Sequence, residues 1–263
     1  MSVSLAQSPQ GVDFPWRLRI EHEGLLSLRM ERKGRTIRFN PMHPPESTDI
    51  VILTGTWPEH LDATAAAVSA GNRPTVIAPQ AVLDWLTTRD ELSGHSGDVE
   101  VDGLRFESRS YVPLPFMEGA EAVRKVGSAL RRPDRAVRRL ARRASMPKAE
   151  PQAVRITFED GATLVDAGLS LHGGCPDPWL AELCEAWGGP EWLITGVDYG
   201  EETPFLAQVG RIDAKRILVA DLLGSIRRSN GLPFSLLTPV VDRAQALGLD
   251  AYVFATKVTM RFE

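Results

Sequence analysis

Residues 49–60 read DIVILTGTWPEH, and the parsing of this stretch decides the fold. Asp49 to Leu53 is a nearly continuous apolar run of strand length, the pattern of an internal strand buried on both faces. Past the TGTWPEH segment the chain becomes Ala-rich, and Leu61 to Ala70 reads as a helix. Pro74 to Ala78 is a second buried strand. Pro79 then opens a helix that runs to about Thr88, since proline suits the first turn, where its missing N–H costs nothing. The local unit is strand–helix–strand–helix.

Upstream of it, Arg17–Ile20, Leu25–Arg32 and Thr36–Phe39 alternate apolar and polar residues, which predicts antiparallel strands with Lys33-Gly34 as a hairpin turn. Downstream, Val99–Val101 and Leu104–Ser110 form strands joined by Asp102-Gly103. Two helices over about 118–131 and 133–144 follow, divided by Pro133. Val154–Phe158 and Thr163–Val165 then make a hairpin around Asp160-Gly161. After it come a helix from Pro178 to Trp187, strands at Trp192–Val197 and Arg216–Ala220, and a helix from Phe234 to Leu247 ended by Gly248. Tyr252–Thr256 and Thr259–Phe262 close the sequence as short strands. The order makes two similar halves, which predicts two sheets packed face to face with helices outside.

The 263 residues are 43% hydrophobic and 24% charged, enough for one substantial core. A fraying segment over 1–12 and a single domain over 13–263, with an insert at about 118–148, are the expected divisions. No apolar run approaches the roughly 20 residues of a membrane span, and no basic-then-apolar leader opens the chain. A cytoplasmic location is therefore expected. Cys175 and Cys184 have neither a redox nor a zinc spacing and read as reduced thiols. The net charge of −4 is unevenly spread. Residues 124–148 hold ten Lys or Arg and one acid, so they carry +9 and the remainder −13.

The element order and several short segments resemble the metallo-β-lactamase superfamily, nearest its lactonase-like branch. GRTIRFNP (34–41) is similar to that family's second hairpin strand, with Asn40-Pro41 in place of Asp-Pro. DIVILTGTWPEH resembles the strand and loop that carry Thr-His-x-His-x-Asp-His. Thr54 matches, Gly55 and Trp57 replace two histidines, Glu59 replaces the aspartate, and His60 is retained. GATLVDAGLS (161–170) resembles the segment that supplies the bridging aspartate, whose place Leu169 takes. Asp221, after the strand at 216–220, lies near the last histidine, and no histidine stands at 111–115. The resemblance implies a four-layer αββα sandwich of two mixed sheets with outer helices, plus the basic helical insert. It also implies the loss of most metal ligands, and so no ordinary dinuclear zinc hydrolase. A hydrolytic zinc needs three or more protein ligands and an open position for water. Trp57 is expected to be buried over the vestigial metal site.

Other groupings have bland and functional readings. Ser170 and His172 could form a nucleophile–base pair, or simply flank a Gly-rich turn. Asp198, Glu201 and Glu202 could hold a hard cation, or line a solvated loop at a helix start. Arg227 and Arg228 could grip an anion, or pair with Asp213 or Glu202. Glu21, His22, Glu23 and His43 lie near loops that line the cleft in the family the chain resembles, or are simply surface polar residues. No nucleotide-binding loop is present. In the insert, Val137, Leu140, Ala141 and Ala144 make an apolar stripe, with Arg138, Arg139, Arg142 and Arg143 on other faces. Those arginines could pair with the chain's own acids, with an acidic partner or a second copy, or with nucleic acid or anionic membrane. No aromatic residue is there to stack on bases.

Two functions follow. The first is a metal-free binding or scaffold protein, with no cofactor, that uses the remodelled cleft and the insert. The second is a divergent hydrolase with one divalent metal, Zn or Mn, held by Glu59, His60 and Asp221. An esterase built on Ser170 and His172 is a third reading.

Overall fold

In the computed structural model, residues 18–87, 92–111, 141–142, 144–172, 175–223, 227–228, 233–257 and 259–262 are described. Alternation sets the first strands: Leu18, Ile20 and His22 are buried while Arg19, Glu21 and Glu23 are half-exposed, so β1 (Leu18–Gly24) turns one face inward. β2 (Ser27–Arg32) and β3 (Arg35–Phe39) repeat the pattern and pair antiparallel. Lys33 and Gly34 both take positive φ, as do Asp102 and Gly103, in keeping with the hairpin turns expected at both places. The β1–β2 turn instead uses Leu25 and Leu26 at φ 33° and 50°, a left-handed pair that no turn residue signals.

From β3 the sheet becomes parallel. β4 (Ile50–Ile52), β5 (Thr75–Ile77) and β6 (Ser93–His95) add in turn, with α1 (Pro58–Ser69) and α2 (Gln80–Thr87) between them. β14 (Thr259–Phe262) completes this sheet on the other side of β1. The second sheet has the order β13-β12-β11-β10-β9-β8-β7. β7 (Val99–Val101), β8 (Leu104–Ser110), β9 (Gln152–Thr157) and β10 (Thr163–Gly168) run antiparallel. β11 (Trp192–Gly196), β12 (Arg216–Ala220) and β13 (Ala251–Phe254) continue it parallel to β10. α3 (Asp177–Trp187), α4 (Glu202–Val209) and α5 (Leu237–Ala246) lie between the parallel strands. β6 and α4 were not delimited in the sequence reading.

Three apolar clusters make the layers. Between the sheets, Ile20, Met30, Phe39 and Ile52 meet Phe106, Ile156, Trp192, Leu218 and Phe254. Outside the first sheet, Val51, Leu53 and Val76 pack on Leu61 and Ala65 of α1 and Val82 and Leu86 of α2. Outside the second, Val165, Leu193 and Val219 pack on Leu183 of α3, Phe205 of α4 and Val241 of α5. This is the αββα sandwich of two mixed sheets that the resemblance implied. Among the described residues, no helix is long and apolar enough to cross a membrane.

Candidate functional site

The C-terminal ends of the parallel strands carry the residues singled out in the sequence. At the first sheet, Asn40 directly follows β3 and takes φ 45°. Its Oδ1 accepts from the Thr54 amide (2.9 Å), and its Nδ2 donates to Thr54 Oγ (2.8 Å) and to the Leu26 carbonyl (3.3 Å). The buried Asn40 therefore ties the ends of β3 and β4 together. The Thr54 carbonyl accepts from Gln152 N (2.8 Å), which joins the strand end to the start of β9. Gly55 is buried, and Trp57 caps α1 ahead of Pro58.

Trp57 packs against the inter-sheet core but is only half-buried, whereas burial over a metal site was expected. As the residue before helix position N1 it stands at a strand–helix junction at the rim, and its ring leans on the core edge. Glu59 is exposed and His60 fully buried. Consecutive helical residues point roughly 100° apart, so these two face different surroundings. Neither ring nitrogen of His60 makes a hydrogen bond of normal geometry, and the Pro41 carbonyl is the one backbone group that favours its protonation. Burial dominates and pushes the imidazole down to about 4. Asp221, at the end of β12, is bound by Arg228 (2.8 Å). Glu59, His60 and Asp221 are thus not brought together, and no group of three His, Cys, Asp or Glu among the described residues could hold a metal ion.

At the second sheet, Leu169 follows β10 and is buried. A Cβ on Gly196, at the end of β11, would stand 2.6 Å from Leu222 Cδ1 and 2.9 Å from Leu169 Cδ2. The two leucines thus close over a backbone that only glycine leaves low enough. On β10 itself, the buried Asp166 accepts from Gly168 N (3.0 Å), and burial pushes its carboxyl up to about 7. Ser170 Oγ is buried without a hydrogen-bond partner, so the hydroxyl makes no bond to the His172 ring; the two residues are joined only through the backbone, His172 N donating to the Ser170 carbonyl (3.1 Å).

The remaining charges are matched to arginines. Asp198 is buried, not solvated, and grips Arg227 with both oxygens, Oδ1 to Nε at 2.5 Å and Oδ2 to Nη2 at 2.7 Å. Arg227 also donates to the Pro233 carbonyl (3.1 Å). Arg228 lies 4.7 Å over the Phe234 ring while it holds Asp221. The acids that Arg227 and Arg228 hold at these distances are Asp198 and Asp221, where Asp213 or Glu202 was expected; Glu202 accepts from Ser235 (2.7 Å). His22, read as a surface residue, is fully buried, stacked on Phe254 with Nδ1 3.2 Å from its carbonyl. Burial lowers its pKa, and the Asp221 charge opposes that shift.

The sequence singles out Asp198 and His22 but signals neither the burial of these residues nor their partners. A signal for Asp198 exists: Leu53-Thr54-Gly55 and Ile194-Thr195-Gly196 are the same ending on equivalent strands, so Asp198 stands where Trp57 stands in the first half. Within the insert, Arg142 pairs with Asp62 on α1, and Met146 and Ala149 pack on the outer cluster of the first sheet. Arg138, Arg139 and Arg143 lie outside the described residues, as does most of the expected pair of insert helices.

Neither a protein-family profile nor a curated sequence matches the chain. Solved structures do. Igni18, a metallo hydrolase from the archaeon Ignicoccus hospitalis, superposes with a TM-score of 0.62 at 14% identity, over 94% of this chain and 98% of that one. The isothiocyanate hydrolase from Delia radicum gut bacteria gives 0.57 at 14%, over 93% and 99%. CmlA, a diiron beta-hydroxylase from Streptomyces venezuelae, gives 0.59 at 12%, over 95% of this chain and 55% of that one. The chain has the metallo-β-lactamase fold, and the solved structures that share its architecture include a metallo hydrolase.

Proposed function

We propose that this chain is a metal-free binding or scaffold protein built on the metallo-β-lactamase fold. The observation that carries the reading is the pair of arginine locks. Asp198 and Asp221, the acids at the ends of β11 and β12, are engaged by Arg227 and Arg228. The Arg227 fork takes both oxygens of Asp198 and satisfies them as a cation would, without opening a coordination position, and Arg228 holds one oxygen of Asp221. Leu169 and Leu222 support the same reading, because they set apolar surface where a bridging carboxylate would be needed. These residues do not fit the donor set of a hydrolytic metal pair. The single-metal alternative draws on Glu59, His60 and Asp221, and the exposure of Glu59 and the Arg228 bond of Asp221 speak against it. The Arg142–Asp62 pair supports an insert held partly by the chain's own acids; an acidic partner or a second copy is the contact proposed for Arg138, Arg139 and Arg143.

Elemental analysis of protein expressed with added Zn and Mn and purified without chelator tests the proposal. The expected content is well under one equivalent. Stoichiometric metal that disappears in His60→Ala would overturn it.

A further inference from the structure

The chain leaves β10 through a turn over residues 168–172 whose buried polar groups are poorly matched. Ser170 is fully buried and its hydroxyl has no hydrogen-bond partner. Asp166, 5% exposed, accepts one hydrogen bond among the described residues, from Gly168 N (3.0 Å). Its neighbours in register are Val154 of β9 and Ile194 of β11. Arg155 of β9 stands opposite Val165, on the other face of the sheet, and donates to Glu107 (3.4 Å). Among the described residues no cation acts on the Asp166 carboxyl, and the titratable group that feels its charge is Tyr111. A carboxylate confined in this way ionises only at a large desolvation cost. A buried hydroxyl without a partner adds a smaller one. Opening the turn to water relieves both.

Tyr111 is fastened to the same turn. Its oxygen stands 3.1 Å from the position a Cβ would take on Gly168, and the Leu169 backbone supports it. Its own N–H donates to the Pro151 carbonyl (2.9 Å), and its ring meets Trp179 of α3 edge-on at 6.1 Å. At the far end of the turn, Gln208 Nε2 of α4 donates to the carbonyl of His172, the turn's other titratable residue (2.6 Å). Tyr111 thus links the turn to the end of β8, from which the chain enters the basic insert.

We propose that the turn over residues 168–172 is a pH-sensitive latch: it is closed while Asp166 is protonated, and it opens locally when Asp166 ionises, releasing Tyr111. Burial holds the Asp166 carboxyl at about 7, against about 3.9 for a hydrated one. The open form therefore binds fewer protons between those values, so opening is favoured progressively as pH rises through that window and levels off above it. The inference stands apart from the binding role proposed above.

Native-state amide hydrogen exchange, read by NMR on the full chain at pH 5, 6 and 7 and corrected for the intrinsic rate, tests this. Protection at Gly168, Ser170 and Tyr111 should fall by about tenfold per pH unit. It should stay unchanged between 0 and 1 M urea, because a local opening exposes little surface, whereas Val76 and Val219 in the strand centres should exchange by a slower, urea-dependent route. Asp166→Asn should abolish the pH dependence at the turn. Ser170→Ala removes the unmatched hydroxyl, leaves Asp166 in place and should raise protection about fivefold with the pH slope kept, so it decides the matter even if Asp166→Asn does not fold. The latch is overturned if the turn's amides exchange only by the urea-dependent route, or if their protection does not change with pH. It is also overturned if Asp166→Asn retains the slope or if Ser170→Ala leaves protection where it was.

Discussion

Replacing Arg227 by Met leaves Asp198 charged, buried and without its main partner. Arg227 and Asp198 are 12% and 6% exposed, so both were largely desolvated to form the pair. Two short hydrogen bonds offset that desolvation in the native protein. Removing one member of such a pair costs roughly 3–5 kcal/mol, because the remaining charge is stranded. The loss of the Pro233 carbonyl bond adds about 1 kcal/mol. Replacing both members, as Arg227→Met/Asp198→Leu, removes the stranded charge and should recover most of the loss, a coupling of about 2–3 kcal/mol. Urea unfolding at neutral pH reads all three variants against the parent. A single variant within about 0.5 kcal/mol of the parent, or a double variant no better than the single, would refute the claim that this arginine replaces a cation at the strand ends.

Further outcomes follow from other parts of the site. Asp166 holds a proton in the folded state up to about pH 7, whereas in the unfolded chain it releases it near 3.9, so its contribution falls as pH rises between those values. Asp166→Asn should therefore gain on the parent by about 1.4 kcal/mol per pH unit across that window, measured by urea unfolding at pH 5, 6 and 7. Gly196→Ala drives a methyl against Leu222 and Leu169 and should cost about 1–3 kcal/mol, partly relieved by Leu222→Ala in the same chain. Arg142→Ala removes an exposed pair with Asp62, so its effect should stay under about 1 kcal/mol and vanish in 1 M salt. Replacing Arg138, Arg139, Arg142 and Arg143 together separates the roles of the insert. A smaller gel-filtration species at low salt marks contact with a second copy, and a lower melting temperature with no change in assembly marks internal pairing.

The layers were legible because burial writes itself into spacing. Period-two alternation in β1 to β3 and unbroken apolar runs in β4, β11 and β12 have one physical cause each, a single covered face and two covered faces. β6 reads Ser-Gly-His and carries no such pattern, because it is an edge strand whose Gly94 backbone lies under Leu83. The site was less legible, because its contents depend on which strand ends meet. Asp198 looks like part of an acidic surface loop until Arg227, 29 positions on, closes on it. His22 looks like a surface residue until Phe254 from the other sheet covers it. Trp57 looked like a plug for a lost metal, yet its place at the start of α1 keeps it at the rim.

The position of β14 has a consequence for how the molecule is made. It pairs along β1, Leu18 opposite Phe262 and Ile20 opposite Met260, so the first sheet is closed by a strand that is translated after the whole second sheet. Until then the nascent chain presents the open backbone edge of β1, with apolar Leu18 and Ile20 on its inner face, a ready template for pairing with other chains. The closing contact also spans almost the entire sequence, which makes it the kind of step that slows folding. Conditions that lengthen the interval between the synthesis of β13 and that of β14 should therefore raise aggregation without altering the stability of the finished protein.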